Sequence, residues 1–368
     1  MAPDLARGVM LLFIALANSH YFLRGESVFG GFPTGGSVLD SAVAWVVSTF
    51  VDGRSYPMFG LLFGYGVARI VQRQAFRGPR GVRRVLWRRA WVLVGVGFVH
   101  AVLLFVGDVL TAYGVLLLVG AWMVRWRDRW LLTTAVLVFV LLALPSDDSL
   151  STSTLPPDPA MLPPDLRTML TARPVVSLFI GLVGPIGFLC PFTIGLWAGR
   201  RRILEQPERH RTLLRLTTVV GLGVAVIGAQ PVALVAAGVL PVPAPPTLAV
   251  LGPLHDACGI LGGFGWAALF GLLALRLKTP RRRLFLDTVV ATGQRSMTCY
   301  LAQSVVWAAA FTPFLLDLSG TLTTSTTALL AALTWLATVL LADRLRRAGR
   351  RGLFEVLVRR VSYGRPVT

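Results

Sequence analysis

The stretch AWVLVGVGFVHAVLLFVGDVLTAYGVLLLVGAWMV, residues 90–124, decides the fold class of this chain. Its only charged residue is Asp108 and its only histidine is His100, whereas almost every other side chain is apolar. A run of about 20 apolar residues crosses the hydrocarbon core of a bilayer as a helix. The stretch therefore predicts two membrane-spanning helices, at 90–107 and 109–124, that meet at a turn around Asp108.

The rest of the chain continues this pattern. With 55% hydrophobic and 14% charged residues and a mean hydropathy of +0.69, it has too little polar surface to cover a soluble domain. We predict an all-α, polytopic integral membrane helical bundle that forms a single transmembrane domain over residues 1–368. The predicted spans are 8–24, 55–72, 90–107, 109–124, 130–145, 174–198, 215–238, 250–276, 293–316 and 325–342.

The formal net charge of +19 follows the predicted topology. With a cytoplasmic N-terminus, 30 of the 36 Lys and Arg residues fall at cytoplasmic segments, as the positive-inside rule requires. Ten spans then place both termini in the cytoplasm, and anionic membrane lipids become expected partners. Nucleic-acid binding is not expected, because no basic face is interleaved with a soluble motif. The cations are arginines except for the single lysine, Lys278, which is typical of a GC-rich bacterial genome. We therefore expect a bacterial inner (plasma) membrane location.

Three segments lie outside the predicted spans. Residues 146–173 read as an irregular extracytoplasmic loop, either a lid or a linker. Residues 343–368 form a basic cytoplasmic tail with helical periodicity, expected at the membrane interface. The apolar segment 41–52 is too short to span. The first span resembles a signal peptide around 15–17, but the motifs described below favour a retained helix.

Several soluble chemistries are excluded by inspection. The chain has no G-x-S-x-G, no H-E-x-x-H and no P-loop motif. The cysteines Cys190, Cys258 and Cys299 fall in predicted spans without metal-binding spacing, so no metal site is expected. The glycines around Gly60, Gly64 and 221–228 predict close helix packing.

Ionisable groups inside predicted spans cost about 2.5 to 3.5 kcal/mol each on insertion scales, so each is expected to face a cavity or a partner. Arg54 is expected to pair with Asp52 or Asp40, or to contact a substrate anion. His255 and Asp256 form an adjacent candidate acid–base pair. In the ninth span Ser296, Tyr300, Gln303 and Ser304 share one helical face, which indicates interhelical bonds or a polar channel.

His100 and Asp108 are the polar groups of the opening stretch. In a continuous helix they would point within roughly 80° of each other but lie about 12 Å apart along the axis, so direct contact is not expected. Asp108 is expected to cap the next helix, which carries Tyr113. His100 is either a hydrogen-bonded core residue or a catalytic base. Asn18, a polar amide in the first span, precedes His20 at that span's outer end.

Five motifs together resemble the YeiB-like family of polytopic bacterial membrane proteins. They are DLARG at 4–8 with Asn18, RSYPMFGLLFGYG at 54–66, HAVLLFVGDVLTAYG at 100–114, GQRSMTCYLAQS at 293–304 and GLFEVLVRRVSYGR at 352–365. The last two fall in a region catalogued as a domain of unknown function. The family is similar to the transmembrane acyltransferase superfamily, which includes the lysosomal heparan glucosamine acetyltransferase.

That resemblance implies transfer of an acyl group from cytoplasmic acyl-CoA, as the donor, to a small-molecule acceptor at or across the membrane. It implies Asn18 and His20 at the catalytic centre, with His100 as the alternative base and Asp108 beside it. His20 follows Asn18 more closely than in the lysosomal enzyme. Arg295 and the cytoplasmic arginines are the expected phosphate contacts.

Two other functions stay open at this stage. One is a transporter or exporter of a small amphipathic or anionic metabolite, with Arg54 as the anion contact; the absence of an internal repeat weakens it. The other is a non-catalytic membrane partner whose polar residues only pack helices. A tunnel from the cytoplasm to His20 or His100 would favour the enzyme. The sequence specifies neither the acceptor and acyl group nor whether the protein is a homo-oligomer.

Overall fold

The computed structural model describes residues 1–146, 150, 152–155, 157–276 and 280–364, without the side chains of Thr152 and 280–285. Asp147, Asp148, Lys278 and the end of the tail, 365–368, lie outside this part. The described chain is almost entirely helical. Its α-helices are α1 Ala2–Ser19, α2 Val38–Phe50, α3 Ser55–Arg73, α4 Gly78–Leu103, α5 Leu110–Met123, α6 Asp128–Leu142, α7 Leu166–Arg200, α8 Arg211–Ala236, α9 Pro245–Arg276, α10 Pro280–Gln294, α11 Ser296–Phe311, α12 Thr324–Arg347 and α13 Leu353–Tyr363.

Six helical segments are long and apolar enough to cross a bilayer, which confirms the prediction of an all-helical membrane protein. They are Ala2–Phe22, Ala75–Leu103, Leu166–Arg200, Arg211–Ala236, Pro245–Arg276 and Thr324–Arg347 within the described residues. The other four predicted spans correspond to α3, α5, α6 and α11. Helix α5, with 14 residues, is apolar but short.

Several helices extend beyond the predicted spans, because a helix does not end where its apolar residues end. Helix α4 begins at Gly78, so its first turns carry arginines that the prediction left outside the span. Helix α7 begins at Leu166, inside the predicted loop, where Asp165 caps it by accepting a hydrogen bond from Thr168 N at 2.8 Å. The ninth predicted span is interrupted at Arg295, between α10 and α11.

Helix α1 lies at the centre of the bundle and packs against α3, α9, α10, α11 and α12. Its side chains Met10 and Leu11 are fully buried. A 3₁₀ turn, His20–Phe22, continues it. Because α1 is surrounded on several sides, both of its ends carry polar groups into the interior.

Glycines set the closest helix contacts, as predicted. A Cβ on Gly64 of α3 would collide with the carbonyl oxygen of Phe192 on α7, and one on Gly195 would collide with that of Leu61. On α8, Gly221 approaches Leu261 O and Gly265 of α9 in the same way. The small residues allow the backbones to touch.

Two small elements cover the ends of the bundle. A three-stranded sheet forms from β1 Val28–Phe29, β2 Phe32–Pro33 and β3 Thr152–Ser153. The hairpin turn uses Gly30 and Gly31 at φ +55° and +90°, and a Cβ on Gly31 would collide with the ring of His20. At the other end, α13 packs on α4 and α11.

Candidate functional site

A cavity of about 440 Å³ runs into the bundle between α1, α3, α4, α5, α11 and α13. We call it the central cavity. Its volume is in the range of small-molecule sites, about 300 to 1,000 Å³. The residues that line it include Asp4, Arg7, Phe59, Phe63, Arg73, Arg89, Tyr113, Ser296, Tyr300, Glu355, Arg359 and Tyr363.

One end of the central cavity is cationic. Arg7 donates to Asp4 Oδ1 and to Leu62 O, both at 3.1 Å. The carboxylate of Glu355 accepts hydrogen bonds from Met297 N and Thr298 N at 2.9 and 3.1 Å, which ties α13 to the first turn of α11.

Both carboxylates of the lining therefore have partners already. Arg73, Arg89 and Arg359 have no carboxylate within 4.0 Å among the described residues. The Nε atom of Arg89 is buried without a hydrogen-bond partner. We call this the arginine-rich end, and its unpaired guanidinium groups suit a phosphate-bearing ligand.

The other end of the central cavity is formed by two buried tyrosines, Tyr113 of α5 and Tyr300 of α11. Neither hydroxyl group has a hydrogen-bond partner within the described residues. Both amide atoms of Gln303, one turn further along α11, are also buried without a partner. Unsatisfied buried polar groups are rare in folded proteins, so such a group at a cavity indicates a ligand or water.

His100 lies directly behind Tyr300, with the two ring centroids 5.1 Å apart. The expectation that His100 and Asp108 do not touch is wrong. His100 Nδ1 donates to Asp108 Oδ1 at 2.8 Å, because α4 ends at Leu103 and residues 104–109 reverse the chain. Asp108 Oδ2 accepts from Thr111 N at 2.8 Å and from Thr111 Oγ1 at 3.2 Å, so the predicted capping role is confirmed.

The pair has the geometry of a histidine oriented by a carboxylate. A carboxylate only accepts hydrogen bonds, so the ring proton of His100 is on Nδ1 and the lone pair is on Nε2. Nε2 is buried and has no partner in the described part of the chain. An imidazole held in this way can take a proton at Nε2 while Asp108 stabilises the resulting cation.

A second polar cluster lies where the loop between α2 and α3 meets α9. Arg54, with no exposed surface, donates to His255 Nε2 at 2.8 Å, to Ala225 O at 2.9 Å and to Asp52 O. We call it the Arg54 cluster. Neither expected ion pair is present among the described residues: Asp52 accepts from Arg54 through its backbone oxygen, and Asp40 Oδ1 accepts from Ser325 N at 2.8 Å.

Asp256 borders the Arg54 cluster. A Cβ on Gly53 would lie 3.6 Å from Asp256 Oδ1 and 3.4 Å from His255 Nε2. His20 is buried at the end of α1, and its Nε2 is 3.9 Å from Asp52 Oδ2. The His20 ring stacks on Phe32, with centroids 3.9 Å apart. Two residues earlier, Asn18 is half-buried in the last turn of α1.

Comparison with known proteins finds similar sequences over part or nearly all of the chain. Residues 198–365 match the family model described as "Protein of unknown function (DUF418)". The chain is 25% identical to the uncharacterized protein YxaH of Bacillus subtilis (strain 168), over 98% of this chain and 93% of YxaH. It is 32% identical to the uncharacterized protein YeiB of Escherichia coli (strain K12), over 34% of this chain and 29% of YeiB. The resemblance to the YeiB-like DUF418 family is confirmed.

The YeiB-like motifs of this chain divide between the two polar regions. Tyr113 and Tyr300 reach the central cavity, and His100 and Asp108 stand behind it. The other predicted site residues are separate from that lining: Arg54, His255 and Asp256 belong to the Arg54 cluster, and His20 lies beside it. Arg295 donates to Ala291 O and Arg350 O, so it ties α10 to the segment before α13.

The sequence-based reasoning missed the residues that make the cavity cationic. Arg73, Arg89 and Arg359 were counted only as topology charges. A signal was present for Arg359, since it falls within the family motif at 352–365. Among the described residues, no three His, Cys, Asp or Glu side chains converge as metal ligands.

Proposed function

We propose that this protein is a multi-pass acyltransferase of the bacterial inner membrane that transfers an acyl group from cytoplasmic acyl-CoA to an acceptor at or across the membrane. In this proposal α3, α5, α6 and α11 complete ten crossings, and both termini face the cytoplasm. The arginine-rich end of the central cavity is then its cytoplasmic mouth.

The observation that carries the proposal is a cavity lined both by unpaired arginines and by Tyr300, which lies against the His100–Asp108 pair. Arg73, Arg89 and Arg359 stand at one end of the central cavity, and Tyr300 stands at the other end against His100. A coenzyme A thioester has the same polarity, with phosphates at one end and the reactive carbonyl at the other. The cavity volume suits the pantetheine arm and acyl group, with the nucleotide at the mouth.

The chain's own residues supply three functions in the transfer. His100 Nε2 accepts the proton of the acceptor's hydroxyl or amine group as that atom bonds to the thioester carbon. The carbon–sulfur bond breaks, and His100 returns the proton to the thiolate of coenzyme A. The hydroxyl of Tyr300 and the amide of Gln303 donate hydrogen bonds to the thioester oxygen, which becomes an oxyanion as the acceptor atom bonds to the carbon. Asp108 keeps the Nδ1 proton in place throughout.

The resemblance to the acyltransferase superfamily implies Asn18 and His20 at the catalytic centre, and in this proposal they form its acceptor side. Both lie near the far end of α1, where an acceptor from the other side of the membrane would arrive. The stacking of Phe32 on His20 and the sheet above it make that position closed in the described conformation. We propose that His20 and Asn18 contact the acceptor, whereas His100 carries the proton.

The test is binding and turnover of acetyl-CoA and longer acyl-CoAs by the purified protein in detergent. Calorimetry measures binding, and release of free coenzyme A measures transfer to protein, water or added acceptors. His100→Ala removes the base, and His100→Asn retains a donor toward Asp108. His210→Ala is the matched control, because His210 precedes α8 and is not part of the central cavity lining.

Saturable binding with transfer reduced about 100- to 10,000-fold in both His100 variants, and unchanged in His210→Ala, is the expected result. Loss of acyl transfer in the Asn18→Ala or His20→Ala variant would show that the site extends to the end of α1. Equal transfer by wild type and His100→Asn would contradict the assignment of the base. Absence of binding across all acyl-CoAs would contradict the proposal as a whole.

Export of an anionic metabolite is the second candidate function, and the Arg54 cluster is the observation that favours it. A fully buried guanidinium with an unpartnered Nε is a suitable contact for a transported anion. Transport of radiolabelled organic anions into inside-out vesicles by wild-type protein that binds no acyl-CoA would select this function over acyl transfer.

A further inference from the structure

A second and larger pocket lies on the outside of the bundle, away from the central cavity. It has a volume of about 630 Å³ and is formed by the turn after α3, the first turns of α4 and the end of α5. We call it the arginine groove. Four arginines line it, Arg77, Arg80, Arg83 and Arg125, and its floor is apolar, with Val82 buried and Trp122 half exposed.

The charge of the arginine groove is unbalanced. No carboxylate belongs to its lining, and within the described residues none of the four arginines has an acidic partner within 4.0 Å. One of these cations is held in place by aromatic rings. The Arg83 guanidinium carbon lies 4.1 Å from the centroid of Trp122 and 5.2 Å from that of Trp87, which fixes the side chain with its N–H groups available.

The neighbouring aromatic residues indicate the depth of the groove in the bilayer. Trp122 lines the groove, and Trp126 and Trp130 follow it in the chain; the three are 54%, 41% and 53% exposed. Tryptophan concentrates at the level of the lipid headgroups. Phe76, at the rim, is 79% exposed. The groove therefore combines an apolar floor, an aromatic border and four unpaired cations at one membrane interface.

We propose that the arginine groove is a binding site for an anionic phospholipid of the adjacent leaflet. The phosphate would contact Arg83 and Arg125, and an acyl chain would lie along Val82 and Trp122. Basic pockets between transmembrane helices on the arginine-rich side of membrane proteins are suited to such headgroups. This inference does not depend on acyl transfer. The groove and the central cavity both touch α3, but they have no lining residue in common.

Native mass spectrometry of the detergent-solubilised protein tests the site. Dioleoyl phosphatidylglycerol and dioleoyl phosphatidylcholine have the same chains and differ in net charge. The variant is Arg83→Gln with Arg125→Gln. The control is Arg211→Gln with Arg215→Gln, which removes the same charge from exposed positions on α8. Arg83→Lys with Arg125→Lys retains the charge, and a thermal melt of each variant reports folding.

The site predicts that phosphatidylglycerol binds more tightly than phosphatidylcholine and that the glutamine pair weakens it about 10- to 30-fold. The control should match wild type, and the lysine pair should retain much of the affinity even if the glutamine pair unfolds. Equal binding of the two lipids, or an equal loss in the α8 control, would overturn the inference. Displacement of the lipid by equimolar glycerol phosphate would also overturn it, since the groove would then bind free phosphate.

Discussion

His100 and His255 are both buried, and the hydrogen bonds of each ring place a proton on Nδ1, but their surroundings use the two nitrogens in opposite ways. Asp108 accepts the Nδ1 proton of His100 and leaves the Nε2 lone pair free. Arg54 donates to His255 Nε2 and occupies that lone pair, while Nδ1 has no partner in the described residues. The partner atom, and not burial, decides which histidine can act as a base.

The surroundings of the two histidines also differ in how many polar groups lack a hydrogen-bond partner. Around His100 two of the unsatisfied groups, the hydroxyls of Tyr113 and Tyr300, line a cavity of about 440 Å³. Around His255 the guanidinium of Arg54 donates hydrogen bonds to acceptors on three segments of the chain: the loop before α3, α8 and α9. The first region leaves buried polar groups available beside a cavity, whereas in the second region Arg54 already donates to three protein acceptors.

The largest effect should come from Arg54. Arg54→Gln leaves Ala225 O, Asp52 O and His255 Nε2 without their donor, and we expect the free energy of unfolding to fall by about 3 kcal/mol or more. Unfolding by SDS in mixed micelles measures it. Arg211→Gln, at an exposed position, should change it by less than about 0.5 kcal/mol. Similar values for the two variants would show that the Arg54 cluster does not hold the bundle together.

Asp108→Asn should give an intermediate effect, mainly on turnover. A carboxamide cannot accept from both His100 Nδ1 and Thr111 N, so either the histidine or the first turn of α5 loses its partner. We expect transfer to fall about 10- to 100-fold with acyl-CoA binding retained.

The readout for Asp108→Asn is turnover alongside calorimetry. Thr111→Val is its control, since it removes only the 3.2 Å hydroxyl bond and should change turnover less than about threefold. Unchanged turnover in Asp108→Asn would contradict the claim that Asp108 prepares His100, unlike His255, to act as a base.

The smallest effect should come from Asp40, which joins α2 to α12 outside both histidine regions. Burial acts to raise the pKa of Asp40, but hydrogen bonds from Ser37 and Ser325 outweigh it and hold the pKa below its ordinary value. Asp40→Asn should therefore cost about 1 kcal/mol, the value of a helix cap.

The pH dependence of Asp40 follows from the sign of that shift. Because the pKa is lower in the folded state, the stabilisation is present above about pH 4 and is lost as the pH falls below it. Unfolding of wild type and Asp40→Asn between pH 3 and 7 measures it. Asp317→Asn, which breaks an exposed pair with Arg24, is the control. A wild-type advantage that grows below pH 4 would contradict the assignment.

The sequence predicted the helices and their close contacts better than it predicted the site. Runs of apolar residues and glycines such as Gly64 report local physics, so the all-helical membrane architecture and the close packing of α3 followed from them, but not the identity of its partner α7. Helix limits did not, because the arginines at the start of α4 are compatible with a helix as well as with a loop.

The His100–Asp108 pair shows why the site was harder to predict. An offset of eight residues excludes contact only in a continuous helix, and the chain reverses after Leu103. The sequence predicted the turn at Asp108, but the helix already ends at Leu103, which brings His100 and Asp108 together. The role of Arg89 and Arg359 in the cavity could not be predicted for another reason. A count of charges places arginines on one side of a membrane but does not tell which of them face a cavity.

The most direct test of the account is a structure of the protein with a non-hydrolysable acyl-CoA analogue. We expect the acyl carbonyl beside Tyr300 and within reach of His100 Nε2, with the phosphates at Arg89 and Arg359. An analogue bound at the Arg54 cluster or in the arginine groove, with the central cavity empty, would contradict the claim that this cavity leads acyl-CoA to His100.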